Sequence, residues 1–313
     1  MMQTGNLKFG VITDVHHYDG AVSEYWNMIP FTSDAHWRRY STAEARLTAA
    51  VDQANTSGCR LFIQLGDIVD DNNSLDDATT RLSECVAITD TFAGDGVIYV
   101  LGNHCNSEFS ARLDTVYWPT VEDGHNHVRR SNPYNTSYGY TYDHGPYRFV
   151  AMYSPGVGVD IADAQLDWLY KGDGTGVLET TLNCVVLSHA VFHESGSPNA
   201  QWYDTVGNPL EVIERFEAAG SVIAVLQGHF HRNGIEGYDN QLVAEHNGIT
   251  YLAMRGSILG KTNGTEDGGT TADSAYWVIE FEDTGTTIDM TITGYEKGSS
   301  GTSSATKRKY LIA

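Results

Sequence analysis

Short apolar runs recur along the chain, and each stops at a polar residue able to bind a cation. Leu7-Lys8-Phe9-Gly10-Val11-Ile12-Thr13 runs into Asp14, and Cys59 to Leu65 runs into Gly66-Asp67. Val97 to Leu101 leads to Gly102-Asn103-His104, Leu182 to Ser188 to His189, and Val222 to Gln227 to Gly228-His229-Phe230-His231. β-Branched runs of this length, bounded by Gly or polar residues, predict buried strands. Helical spacing falls between them. Ser41-Thr42-Ala43-Glu44 has the spacing of a capping box, after which Leu47, Ala50, Val51 and Ala54 share one face up to Gly58. Asn208-Pro209-Leu210-Glu211 opens a second helix, with Pro at its first position and Gly220 as its stop. Residues 75–92 and 163–171 predict two more. Strands alternating with helices imply an α/β protein with ligands at the carboxyl ends of its strands.

From about residue 137 the β pattern strengthens. Tyr138 to Tyr142 and Tyr147 to Met152 predict a hairpin around His144-Gly145-Pro146. Gly248 to Met254, Tyr276 to Phe281 and Thr286 to Ile292 predict further strands, which makes the part from about 248 strand-rich. The Gly/Thr/Asp-rich stretch 260–275 and the segment 298–306 read as loops. No repeat and no long linker interrupts the chain. The economical reading is a single domain over 1–313, with two packed sheets and helices outside.

Composition narrows the function. The chain has 19 Lys+Arg against 40 Asp+Glu, a formal net charge of -21. A general nucleic-acid binder needs a basic surface, so that class is excluded. An anionic substrate would be repelled at long range, so a phosphate-binding site would need strong local positive charge, which metal ions supply. No apolar run approaches the roughly 20 residues that span a bilayer. The start, Met1 to Asn6, has no secretory pattern, which predicts a cytoplasmic protein, or a secreted or periplasmic one if a leader was removed. Cys59, Cys85, Cys105 and Cys184 lie far apart without a CxxC pair, which argues against a disulfide framework. Nothing in the pattern sets the oligomeric state.

The strand-end residues are Asp14 and His16, Asp67 and Asp70, Asn103 and His104, His189, and His229 with His231. Carboxylate, imidazole and amide oxygen together suit Mn, Fe or Zn, and there are enough donors for two ions. Two ions can clamp both oxygens of an in-line displacement at phosphorus, with Asp67 the obvious bridging carboxylate.

Asp14-Val15-His16, Gly66-Asp67-Ile68-Val69-Asp70, Gly102-Asn103-His104, His189 and Gly228-His229-Phe230-His231 resemble the five ordered blocks of the calcineurin-like metallophosphoesterases. The resemblance covers roughly residues 7–260. It implies a four-layer α/β/β/α sandwich of two mixed sheets flanked by helices. It also implies two divalent metal ions, with Asp14, His16, Asp67 and His231 holding the first and Asp67, Asn103, His189 and His229 the second. A hydroxide bridging the ions would attack phosphorus. His104 would assist the leaving group, and Asp70 would stand behind the metal ligands and orient one of them.

Most family members carry Asp or Glu after the Asn-His pair, whereas this chain has Cys105. That departure, with Trp37-Arg38-Arg39-Tyr40 upstream, resembles the manganese-dependent ADP-ribose/CDP-alcohol diphosphatases. The implied substrate is a small nucleotide conjugate with a phosphoanhydride bond. Arg38 or Arg39 would pair with a phosphate, Cys105 and His193 would lie near the substrate, and Tyr134, Tyr138 and Trp202 are candidates to stack a base. The alternatives are a broad phosphodiesterase or phosphomonoesterase, and a non-catalytic interaction scaffold. The scaffold reading predicts lost ligands, and every ligand position here is filled.

Overall fold

The computed structural model describes residues 5–17, 26–27, 36–37, 43–70, 75–105, 139–154, 159–192, 206–229, 243–254, 256, 275–297 and 303–312. Fourteen strands appear in chain order among them. They are β1 (Leu7–Ile12), β2 (Trp26–Asn27), β3 (His36–Trp37), β4 (Leu61–Leu65), β5 (Gly96–Val100), β6 (Tyr140–His144) and β7 (Tyr147–Ala151). Then follow β8 (Asn183–Ser188), β9 (Val222–Gln227), β10 (Val243–His246), β11 (Ile249–Ala253), β12 (Ala275–Asp283), β13 (Ile288–Lys297) and β14 (Ser303–Ile312). The helices are α1 (Ala43–Thr56), α2 (Leu75–Thr89), α3 (Asp163–Leu169) and α4 (Pro209–Ala219).

Two six-stranded sheets result, ordered β14-β13-β12-β1-β4-β5 and β10-β11-β9-β8-β7-β6. Both are mixed. β1, β4 and β5 run parallel in the first, beside antiparallel β12, β13 and β14. β7, β8, β9 and β11 run parallel in the second, with β6 and β10 antiparallel at its edges. β4, β5 and β9 are buried along their whole length, as parallel strands covered on both faces should be, although β5 closes the edge of its sheet.

The strand period of two sorts side chains into two layers of core. On β7 and β8, Phe149, Ala151, Val185 and Leu187 face the first sheet and join its core. Their neighbours Val150, Met152, Cys184 and Val186 point the other way, against Leu166 and Leu169 of α3 and Val212 and Phe216 of α4. Phe9 meets Phe149 and Phe281 edge-on at 5.5 and 5.3 Å, filling the space between the sheets. Each such side chain contributes about 1.5–3 kcal/mol on full burial. On the outer face of the first sheet α1 covers β1 and β12, and α2 packs on α1. A Cβ at Gly10 would lie 2.8 Å from Ala54 Cβ, so the glycine lets α1 approach the strand. Helix, sheet, sheet and helix therefore stack in the order expected.

Most predicted elements recur with shifted ends. The helices expected at 75–92 and 163–171 end at Thr89 and Leu169. α4 has Pro209 in its first turn and Gly220 left-handed at φ 66, but Asn208 makes no side-chain cap bond. Its amide instead accepts from Ile161 N at 2.7 Å and donates to Ile161 O at 3.1 Å, tying the helix start to the chain before α3. α1 begins at Ala43, and Ser41 and Thr42 lie outside the described residues. The loop reading of 298–306 is corrected in part: residues 303–306 belong to β14, which pairs with β13 from Ser303 to Ile312. An edge strand tolerates polar and charged residues along its length, so its sequence resembles a loop.

Candidate metal centre

The parallel strands of both sheets end on one side, and the polar residues that follow them converge there. The turns are laced by backbone bonds: Asp14 N donates to Gly66 O at 3.1 Å, His16 N to Asp67 O at 2.8 Å and His17 N to Ile68 O at 2.9 Å. Five described non-glycine residues have positive φ, and four of them are candidate ligands: Asp14 (54°), His16 (48°), Asp67 (50°) and His229 (63°). A left-handed residue costs roughly 1–2 kcal/mol relative to an ordinary one. Such strain persists where the surrounding structure over-determines it, and it gathers at functional sites.

Glycines make room for the ligands. A Cβ at Gly66 would overlap the His189 ring, and one at Gly102 would overlap Asp67 Oδ1. A Cβ at Gly228 would overlap Thr13 Oγ1 and lie 2.7 Å from Leu65 O. Each of these glycines directly precedes a candidate ligand (Asp67, Asn103 or His229).

The hydrogen bonds then orient each side chain. His16 Nδ1–H donates to Asp70 Oδ2 at 2.9 Å, and His189 Nδ1–H donates to Leu65 O at 2.9 Å. Both imidazoles therefore turn Nε2 inward. Asp14 Oδ2 accepts from Thr13 Oγ1 at 2.7 Å and from His229 N at 3.1 Å. Asp67 Oδ1 accepts from His104 N at 2.8 Å. The other oxygens meet the imidazoles. Asp14 Oδ1 is 3.7 Å from His16 Nε2 and 3.8 Å from His189 Nε2, while Asp67 Oδ2 is 3.6 and 3.0 Å from the same two nitrogens.

That donor set fits divalent cations. Metal–ligand bonds of about 2.0–2.2 Å place neighbouring donors roughly 3–3.5 Å apart. Asn103 Oδ1 is buried without a hydrogen-bond partner among the described residues, and Asp67 Oδ2 and His189 Nε2 have only each other at 3.0 Å. An orphaned buried polar atom costs about 1–3 kcal/mol, which a coordinated ion would remove. Ligand atoms cluster as His16, Asp67 and His104 on one side and as Asp67, His189 and His229 on the other. Asp67 is common to both. The rings of His16 and His104 lie edge-to-face at 4.7 Å, and those of His189 and His229 at 5.2 Å.

The electrostatics follow from packing unlike charges out of water. Burial opposes ionisation of Asp67, but the imidazoles of His189, His104 and His16 outweigh it and hold the carboxyl well below its ordinary value. Burial likewise opposes the charged form of His189, and Asp67 and Asp14 reverse that, raising it to about 9. Without cations, the site balances its carboxylates with protons on imidazole.

Asp14, His16, Asp67, Asp70, His104, His189 and His229 thus come together, and Asn103 lies at the end of β5 with its amide oxygen buried. Asp70 Oδ2 lies between His16 Nδ1 and His104 Nδ1, 3.9 Å from the latter, so it faces the histidine that Cys105 cannot hold. The Cys105 thiol is fully buried, and burial pushes it up to about 12. It has no surface open in this structure, and its thiol meets the backbone of Val69, Gly102 and Ile68. Arg38, Arg39, His193, His231, Tyr134, Tyr138 and Trp202 lie outside the described residues. A third group, His17 with Glu44 and Glu84, has Arg81 Nη1 2.6 Å from Glu84 and forms an ion-pair clasp holding the turn after β1 to α1 and α2. Sequence reasoning missed Thr13, which precedes Asp14, and the three glycines. The repeated Gly before a ligand was the available signal.

A family model described as calcineurin-like phosphoesterase matches residues 7–233. No relative matches among curated proteins. Among solved structures, the fold is similar to a dimetal phosphatase from Danio rerio, with 18% identity, 98% of each chain covered and a TM-score of 0.66. It is also similar to GAP50, the anchor in the inner membrane complex of Plasmodium, with 12% identity, 98% of this chain and 89% of that one covered, and a TM-score of 0.57. No helix among the described residues is long and apolar enough to cross a membrane. With the matched segment spanning most of the sequence, the chain belongs to the calcineurin-like phosphoesterase family and is a metal-dependent phosphoester hydrolase.

Proposed function

We propose that the chain hydrolyses the phosphoanhydride bond of a small nucleoside diphosphate conjugate such as ADP-ribose or a CDP-alcohol, with manganese as its metal. The observation that carries the dinuclear reading is Asp67, whose carboxylate belongs to both ligand clusters. Asp14, His16, Asp67 and His231 would hold one ion, and Asp67, Asn103, His189 and His229 the other, as the family resemblance implies. When bound, such a pair supplies positive charge against the phosphoryl oxygens and makes water nucleophilic at neutral pH.

The chain's own residues do the rest. The Nδ1–H bonds of His16 and His189 keep each Nε2 available as a donor. His104 would give a proton to the departing oxygen, with Asp70 Oδ2 3.9 Å from its Nδ1 to orient the ring. By the family resemblance, Arg38 or Arg39 would pair with the phosphate that is not attacked, and His193 would contact the substrate. Cys105 supports the choice of substrate class through the resemblance noted in sequence. Asp70 would be left to orient His104.

Mn-loaded protein should release a nucleoside monophosphate from ADP-ribose or a CDP-alcohol, read by mass. Turnover of phosphomonoesters or simple phosphodiesters alone would reject the conjugate and leave the broad phosphoesterase reading. A screen of natural conjugates separates these better than aryl phosphates, which a dimetal site accepts promiscuously.

A further inference from the structure

Thr13 is completely buried at the end of β1, and its hydroxyl meets two acceptors. One is Asp14 Oδ2 at 2.7 Å and the other is Leu65 O at 3.0 Å. A hydroxyl has one proton to give. Leu65 O already receives His189 Nδ1–H at 2.9 Å, and the carboxylate is both nearer and anionic. The Thr13 proton therefore goes to Asp14, while the Leu65 carbonyl is left to hold His189. Around this hydroxyl four strand ends from both sheets meet: β1 through Thr13, β4 through Leu65, β8 through His189 and β9 through Gly228. The missing side chain at Gly228 gives the hydroxyl its space.

The consequence for Asp14 is geometric. Its Oδ2 is held by two donors, Thr13 Oγ1–H and His229 N–H. Rotation of the carboxylate is thereby restrained, and Oδ1 is the oxygen presented to His16 Nε2 and His189 Nε2. We infer that Thr13 is a positioning residue of the metal centre, setting which oxygen of Asp14 coordinates. This rests on the ligand role proposed for Asp14.

The test compares Thr13→Val, Thr13→Ser and Thr13→Ala with the unaltered protein. Each is stripped of metal, melted, and dialysed against graded Mn2+ with bound ions counted by elemental analysis. Val keeps the shape and removes the hydroxyl. The expected result is a metal-free protein that still melts cooperatively, at a lower temperature for the lost buried hydrogen bond, with affinity for one of two Mn2+ ions lowered about 10–100-fold and the other ion retained. Ser should restore affinity to within about threefold, since a merely structural role would respond to the lost methyl and not to the hydroxyl. If Thr13→Val does not fold, Ser and Ala, which differ only by the hydroxyl, carry the same comparison. Equal Mn2+ affinity with and without the hydroxyl would overturn the role of Thr13 while leaving the metal centre intact. Fewer than two ions on the unaltered protein would instead overturn the metal-centre reading itself.

Discussion

Gly102→Ala should damage the protein more than its size suggests. Gly102 is not left-handed, so alanine meets no conformational penalty there. The obstacle is space. The new Cβ would overlap Asp67 Oδ1 and the Asp67 backbone nitrogen, and would lie 2.7 Å from Asp67 Cγ. Ordinary carbon contacts are about 3.5–4 Å, so the turn after β5 or the Asp67 side chain must move by about 1 Å. Overpacking of this kind costs about 1–3 kcal/mol. Moving Asp67 also breaks the bond from His104 N, a charged hydrogen bond of about 1.5–3 kcal/mol. Together these predict a loss of about 2.5–6 kcal/mol, measured by urea unfolding of the metal-free protein. Mn2+ binding should fall with it, because the displaced carboxylate is the shared one. Gly58→Ala is the control: Gly58 has φ 69 with nothing within 4 Å of a Cβ, so it carries only the left-handed cost of about 1–2 kcal/mol. If Gly102→Ala lost less than Gly58→Ala and kept its Mn2+, the steric reasoning would be wrong.

Three further outcomes are expected. His104→Ala should keep both metal ions and slow turnover about 10²–10⁴-fold, while Asp67→Ala should lose metal and activity together, as elemental analysis and single-turnover kinetics would show; equal metal loss in both would contradict the roles assigned. Tyr140→Phe should cost about 1–3 kcal/mol in chemical unfolding, because the buried hydroxyl accepts from Tyr99 N and donates to Tyr99 O on the edge strand β5; a change below about 0.5 kcal/mol would mean that water replaces it. All four cysteines are buried, and burial raises Cys59 and Cys105 to about 12 and Cys184 to about 11. A raised thiol stabilises the fold below the ordinary thiol range, and that contribution is lost as pH climbs through the folded value. Native protein at pH 8 should therefore be inert to a thiol reagent until denatured, and one rapidly labelled cysteine would refute this.

The layered fold was legible because buried parallel strands must be apolar throughout, so β1, β4, β5, β8 and β9 stand out as runs. The ligands were legible because each follows such a run. What stayed hidden depends on contacts between distant parts of the chain. Leu65 O holds His189 across 124 positions, and Thr13 reaches Leu65 across 52, with nothing local to announce either. The replacement of a carboxylate after His104 by Asp70 is likewise spatial. β14 was read partly as loop because Lys307, Arg308 and Lys309 in its sequence obscure an alternation that an edge strand does not need. Positive φ at Asp14, His16, Asp67 and His229 has no signature in composition at all.

Those four turns have a consequence for how such a protein drifts under mutation. Aspartate, asparagine and histidine are the side chains that left-handed backbone best accepts after glycine, and they are also ones that a divalent cation welcomes. Two unrelated filters thus pass the same residues. A descendant that abandoned hydrolysis would still be steered by chain geometry toward the old amino acids at 14, 16, 67 and 229. Glycine would relax each bend and empty the cage at once, so the easiest route to a sturdier molecule runs through an inert one.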